Sequence, residues 1–441
     1  MTAPPTPALA RAIVRSLTRG TTIAVGVRHV HIGHAGWLAA QRELLGEIAE
    51  DGHSDTKFVR GAYGAGKSHF LGVVQDEARV AGWATAHLEC RADHVEIDRF
   101  ETLYPALVGK LNMHDLQAAG ADIDPARHLL ERWSATVRKE AGIREDGITR
   151  PFDADSRIFR RLSTTLHRSS LSADFVNALT AFARAEVEGD TTTTATVIRW
   201  LKADSQRLAI PQRYLGKPAG LGAGNAGMVH LSPIGRGNAT EAMRGLLWLV
   251  RSARFLGLVL CIDEIEELAK LKTRKRQDQS LQALREFVDH AGGQGGFHHM
   301  CMYLAATPEM FEGPDYFPRY DALATRIQSV SDRLNWRGPV VDLDRTPLDA
   351  DEMTAMAQRI AAVHRIGYPS TTDVYLSDSY LDELMSEVVS ARVRIAKPRL
   401  LARIVVDELE RARQEASTFR PAIVSNLVSG TAAAILREAT E

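Results

Sequence analysis

Phe58 to Leu71 reads FVRGAYGAGKSHFL, a short apolar run that breaks into a glycine-rich turn and restarts with Lys67, Ser68 and a hydrophobic face. The spacing, Gly61, four residues, then Gly66-Lys67-Ser68, is that of a strand, loop and helix unit in which backbone N–H groups wrap the phosphates of a nucleotide. Gly61, Gly64 and Gly66 can take positive φ and let the main chain approach the phosphates without a Cβ in the way. Lys67 brings a flexible point charge to the β and γ phosphates. Ser68 offers a hydroxyl to Mg2+ at the start of a helix whose positive end faces the anion. The expected nucleotide contacts are Gly61, Gly64, Ala65, Gly66, Lys67, Ser68 and His69.

Composition sets the outer limits. A chain of 441 residues is long enough for about two or three domains, and 45% apolar with 25% charged residues places it among globular proteins rather than disordered ones. The formal net charge of -1 gives no global electrostatic argument for or against nucleic acid, so any such claim must rest on local clusters. Cys90, Cys261 and Cys301 sit in or at the ends of apolar runs without a CxxC pair, which reads as buried thiols in a reducing compartment. The start, MTAPPTPALARAIV, carries Arg11 and Arg15 inside its apolar patch and does not read as a signal peptide. No stretch approaches the roughly eighteen apolar residues of a membrane span. A cytoplasmic protein without membrane contact is expected.

Outward from the loop, residues 1–50 read as a helical segment, with helical periodicity over Ala8 to Leu17 and Gly36 to Ile48. His29, His31 and His34 lie between the two; their spacing suits neither one helical face nor a zinc knuckle, and a place near the nucleotide base is the preferred reading. Trp83 to Glu89 reads as a buried strand. From about residue 99 to 210 the pattern is of separate amphipathic helices, too long for a simple crossover and read as a helical insertion. Leu215 to Gly237 is rich in glycine and reads as a loop or hinge.

Phe255 to Ile262, FLGLVLCI, has the unbroken apolar character of a strand buried in a parallel sheet, and it ends in Asp263-Glu264. In a chain with a phosphate loop, this pair reads as the second half of the site: Asp263 in the Mg2+ shell, Glu264 orienting and polarising the attacking water. A solvated acidic turn is the plainer alternative, given Glu266 and Glu267 just after. Met300 to Ala306 is a further apolar strand, and Thr307 at its end is either a sensor of the γ phosphate or simply a strand-ending residue before Pro308. Pro339 to Leu343 completes five candidate strands, after which only helical patterns follow. The fold class expected is α/β: a three-layer P-loop sheet of AAA+ architecture over 51–345, parallel, with the long helical insertion, followed by an all-α lid over 346–441.

GAYGAGKSHFL, LCIDEIEEL, LAATPEMF with the Tyr- and Arg-rich helix after it, and AKPRLL resemble the BrxD-type ATP-binding proteins of BREX phage-defence systems. These are relatives of the origin-recognition and helicase-loader branch of AAA+ ATPases. The resemblance runs from about Ala8 through the helical domain. It implies ATP and Mg2+ as cofactors, Lys67 and Ser68 as the phosphate-loop lysine and magnesium ligand, Asp263 and Glu264 as the second acidic motif, and Thr307 as the first sensor. Arg399, in the KPR triplet, matches the second sensor, brought from the lid to the γ phosphate. A trans-acting arginine finger is implied between the fourth and fifth strands; Arg326 is the first choice, with Arg319 and Arg333 as competitors, and an arginine paired with a helix-mate carboxylate is the alternative for each.

The resemblance also implies a homo-oligomer and a partner helicase or other defence-system protein. Residues 416–441 are too few for the winged-helix DNA-binding domain that loader-type relatives carry after the lid. The remaining candidate for nucleic acid is KLKTRKR, in which Lys270, Lys272, Arg274, Lys275 and Arg276 could neutralise backbone phosphates of DNA without reading bases; a solvated basic turn is the alternative. Two functions stand against each other: an ATPase that grips DNA and positions or loads a helicase, and a nucleotide-dependent protein-interaction switch that touches no DNA.

Overall fold

The computed structural model describes residues 4–21, 23, 25–90, 99–119, 123–143, 151–166, 169–217, 227–271, 273–290, 296–327, 333–369, 378–390, 397–415, 418 and 422–438. Among the described residues the strands are β1 (Ser54–Arg60), β2 (Ala84–Glu89), β3 (Leu111–Asn112), β4 (Ala209–Pro211), β5 (Met228–His230), β6 (Leu258–Asp263), β7 (Met300–Ala306) and β8 (Val340–Asp342). Six of them form one mostly parallel sheet in the order β3-β2-β6-β7-β1-β8, so the protein is α/β. Every residue of β6 and β7 is buried, which is why these strands read as unbroken apolar runs rather than alternating ones.

Register fixes what stands at the strand ends. β2 pairs with β6 in parallel from Ala84 opposite Leu258 to Glu89 opposite Asp263, so two carboxylates come side by side at the end of the ladder. β1 pairs with β8 in parallel, Phe58 with Val340 and Arg60 with Asp342. The five strands expected from the sequence are all present. The sixth, β3, is antiparallel to β2 through Thr85 with Asn112 and Ala86 with Leu111, and two residues are too few to carry a periodic signal.

By its internal contacts the chain falls into two compact units. One comprises Met1–Leu44, Lys57–Glu77 and Tyr303–Glu441. Within it, the helix Pro7–Thr18, with Pro7 at its first position and Thr6 as N-cap, packs on Ala350–Gly367 and Lys397–Glu415. Ala350–Gly367 begins with a capping box, Asp349 accepting from the amide of Glu352 and the Glu352 carboxylate accepting from that of Asp349. Asp378–Ser390 and Val424–Glu438 complete this helical set.

The other unit comprises Leu45–Thr56 and Ala78–Met302. Over the stretch read as a helical insertion, the described residues form the helices Phe100–Gly109, His114–Ala119, Pro125–Glu140, Pro151–Leu166, Ala173–Glu188 and Thr191–Leu201. Asp124, Ser172 and Asp190 cap three of them, each side chain accepting from first-turn amides. The buried Arg184 donates to both oxygens of Asp155, at 2.5 and 2.8 Å, and to the carbonyls of Tyr214 and Gly216. A charge so placed is tolerated because every face of the guanidinium finds an acceptor. The stretch read as a loop or hinge contains β5, antiparallel to β4; residues 218–226 lie outside the described residues.

Candidate nucleotide site

The loop after β1 is built as its composition requires. Ala62, Tyr63, Gly64 and Ala65 form a β-turn closed by the Ala65 amide on the Ala62 carbonyl at 3.0 Å, with Gly64 at φ 82°. That turn geometry needs positive φ at its third residue, which glycine supplies. Gly66 follows at φ 97°, and a Cβ there would point into open space. The helix Lys67–Val80 opens directly after it, so its first N–H groups face outward from the loop. A Cβ on Gly61 would come within 3.1 Å of the Ala65 Cβ and 3.3 Å of the Lys67 Cγ, so the loop's curvature depends on a residue without a side chain there.

The loop is held from three directions. The Gly61 amide donates to the carbonyl of Ala306, the last residue of β7, which puts Thr307 next to the loop's first glycine. Thr307 is half-buried and is the N-cap of the short helix Pro308–Glu312, with its hydroxyl not used as a cap. The Ala62 amide donates to both oxygens of Asp344, at 3.1 and 2.9 Å. Lys67 is buried, and its Nζ donates to the carbonyls of Gly61 at 2.9 Å and Ala62 at 3.5 Å, so the lysine lies along the loop.

Arg399 reaches the same loop from the first turn of Lys397–Glu415. Its guanidinium carbon lies 5.0 Å from the centroid of the Tyr63 ring, within cation–π range. Tyr63 is 54% exposed. Neither Tyr63 nor Asp344 stood out in the sequence, because each gains meaning only from a partner far along the chain.

Behind the loop lies a histidine cluster. His31 Nδ1 is 3.1 Å from His69 Nε2, His31 Nε2 is 3.0 Å from the Gly33 carbonyl, and His34 stacks near His31. Burial, then the neighbouring histidines, lower the pKa of His31 to about 3; burial and His34 lower that of His69 to about 4. The cluster is therefore neutral at physiological pH. Among the described residues no group of three or more His, Cys, Asp or Glu could hold a metal ion. The side chain of His69, expected as a nucleotide contact, is engaged with His31.

In the other unit, β6 carries Asp263, 2% exposed, at its end. The Glu264 amide donates to Asp263 Oδ1 at 2.9 Å, and Glu264 itself sits in the left-handed region at φ 57°, ψ 40°. For a glutamate this conformation costs about 1–2 kcal/mol, and it turns the chain sharply out of the sheet. Desolvation, followed by the negative charges of Asp263, Glu89, Glu266 and Glu267, raises the pKa of Glu264 above the ordinary 4.5. The thiol of Cys90, whose amide donates to the Asp263 carbonyl, is pushed up by burial and then by Asp263, Glu266, Glu264 and Glu267.

The basic run differs from expectation. Ile265–Lys270 is a 3-10 stretch in which Lys270 pairs with Glu267 at 2.6 Å. Thr273 then caps the helix Arg274–Asp289, so Arg274, Lys275 and Arg276 occupy a first helical turn rather than a basic turn. Cations at that end oppose the helix dipole. Arg274 and Lys275 are exposed and Arg276 half-buried; Lys272 lies outside the described residues. Of the finger candidates, Arg326 lies in the last turn of the helix Asp321–Ile327 and is half-buried, whereas Arg319 and Arg333 are exposed.

Residues 6–425 match the family of the BREX system ATP-binding protein BrxC/D. The chain belongs to that family. Membership of this BrxC/D family bears out the likeness seen in the sequence over nearly the whole chain. No curated protein matches the chain. Among the described residues no helix is long and apolar enough to cross a membrane.

Proposed function

We propose that this BREX-family protein is a Mg2+-dependent ATPase of AAA+ architecture, with a P-loop core over 51–345, a helical insertion at 99–210 and a lid at 346–441. In this reading it acts as a homo-oligomer within the defence system and uses ATP turnover to position or load a partner helicase on DNA. The observation that carries the hydrolytic part is Glu264, held at φ 57° at the end of a fully buried strand beside Asp263. Strain of this kind in a non-glycine residue persists where the surrounding structure imposes it, and functional sites are where it gathers.

The chemistry divides among residues by their donors and charges. The amides of Gly64, Gly66, Lys67 and Ser68 receive the phosphates, and Lys67 exchanges the Gly61 and Ala62 carbonyls for β and γ oxygens. Ser68 and Asp263 offer a hydroxyl and a carboxylate, the hard oxygen donors that Mg2+ takes, and the ion when bound supplies neutralising charge to the phosphate oxygens. Glu264, as the carboxylate, accepts a proton from the water that attacks the γ phosphorus while the β–γ bridging oxygen leaves with ADP. Thr307 and Arg399 report the γ phosphate, and Arg326 of a neighbouring subunit serves as the finger.

DNA contact would come from Arg274, Lys275 and Arg276, with Lys270 and Lys272, against the sugar-phosphate backbone. Steady-state ATP turnover measured with and without DNA tests the whole reading. Stimulation by DNA that weakens with salt, and that charge reversal at Arg274 and Lys275 removes, is the expected result. Turnover indifferent to DNA, with charge reversal silent in cells, would leave the interaction switch as the better account.

A further inference from the structure

Tyr63 stands at the tip of the turn in the phosphate loop, and its position is specified from both sides. The amide just before it, that of Ala62, is fixed by Asp344; the residue just after it, Gly64, is fixed at φ 82°. The turn thus presents an aromatic ring outward at a place where polar or small residues would incur no penalty for exposure. One face of that ring meets the guanidinium of Arg399 at 5.0 Å. A guanidinium held over a ring by the cation–π attraction can keep N–H donors at its edge for phosphate oxygens.

We propose that Tyr63 is a positioning residue that holds the Arg399 guanidinium over the phosphate loop with its edge donors available to the γ phosphate. This rests on the reading of Arg399 as a γ-phosphate ligand and adds to it the reason that the side chain is already in place. A long arginine side chain on a helix terminus otherwise samples many rotamers, and ordering it on binding opposes affinity. The ring removes part of that opposition before ATP arrives. ADP, which lacks the γ phosphate, gains nothing from the arrangement.

The test compares Mg2+-bound affinities of a non-hydrolysable ATP analogue and of ADP for the full chain and for Tyr63→Phe, Tyr63→Ala, Arg399→Ala and the double variant Tyr63→Ala/Arg399→Ala. Tyr63→Ala is expected to weaken the ATP analogue by about two- to fivefold, the size of an exposed cation–π contact, and to leave ADP unchanged. Tyr63→Phe, which keeps the ring face, should match wild type. In the Arg399→Ala background the loss of Tyr63 should have no further effect. If Arg399→Ala lowers the preference for the ATP analogue but Tyr63→Ala does not, or if Tyr63→Phe falls as far as Tyr63→Ala, the role of Tyr63 is overturned while that of Arg399 stands. An unchanged preference in Arg399→Ala overturns the reading of Arg399 and the inference with it.

Discussion

Asp344 accepts the amide N–H of Ala62 on both of its carboxylate oxygens, at 3.1 and 2.9 Å, and so ties the entry of the glycine loop to the turn that follows β8. Hydrogen bonds to a charged acceptor are worth about 1.5–3 kcal/mol when shielded, and an exposed one such as this about 1 kcal/mol. Because the bond shapes the loop and not the γ-phosphate contact, Asp344→Ala should weaken ATP and ADP alike, by about fivefold, whereas Asp344→Asn should retain most of the affinity. Calorimetric titration of both nucleotides checks this. A loss confined to ATP would place Asp344 in a different role.

Glu264 sets stability against chemistry. Glu264→Gly removes the steric penalty of the left-handed conformation and should raise stability by about 1 kcal/mol while abolishing turnover. Glu264→Gln keeps the side-chain volume and the strain but removes a charge that burial and the neighbouring carboxylates disfavour, so it should raise the melting temperature slightly, bind ATP and stop hydrolysis. Thermal unfolding of the two variants beside wild type separates the backbone effect from the loss of charge. A less stable Glu264→Gly would mean that its side chain contributes more packing than its backbone loses in strain.

The glycine turn, the central strands and the helices between β2 and β6 were legible because each is written in contiguous sequence: glycine spacing, unbroken apolar runs, helical periodicity. β3 was not, since two residues carry no alternation, and β5 was hidden in glycine-rich surroundings that argue for a loop. The density of charge in KLKTRKR suggested a turn, yet Thr273 at the cap position starts a helix there in spite of the dipole. The partners of the loop were the least legible of all. Tyr63 with Arg399, Asp344 with Ala62 and His31 with His69 are each joined only by folding, and no local pattern announces a contact of that kind.

The His31–His69 pair sets a pH dependence of stability. Both pKa values are depressed in the folded protein, to about 3 and about 4 from 6.5, so the pair's contribution is fully present above pH 6.5 and is lost as pH falls toward those values. The slope for each histidine that stays neutral approaches about 1.4 kcal/mol per pH unit. His31→Asn should therefore flatten the fall in melting temperature between pH 7 and pH 5. An unaltered slope would remove the pair from the acid response.

Glu264 should govern the acid side of catalysis. Its pKa is raised by desolvation and by Asp263, Glu89 and their neighbours, and hydrolysis requires the ionised form, so turnover should fall with acidity at a pH above the ordinary 4.5 of a glutamate. Glu89 stands opposite Asp263 in the ladder; Glu89→Gln removes one of the charges acting on Glu264 and should move this acid limb to lower pH. A pH profile of turnover for the two proteins reads the shift, and a limb that moves upward would contradict the assignment.

The central claim is that the glycine loop binds ATP and that Glu264 is needed to hydrolyse it. Single-turnover hydrolysis of labelled ATP with Mg2+, followed in wild type, Lys67→Ala and Glu264→Gln with bound nucleotide quantified in the same samples, tests it directly. The account predicts product from wild type, bound but intact ATP in Glu264→Gln, and neither binding nor product in Lys67→Ala. Hydrolysis by Glu264→Gln at the wild-type rate, or wild-type ATP binding by Lys67→Ala, would contradict it.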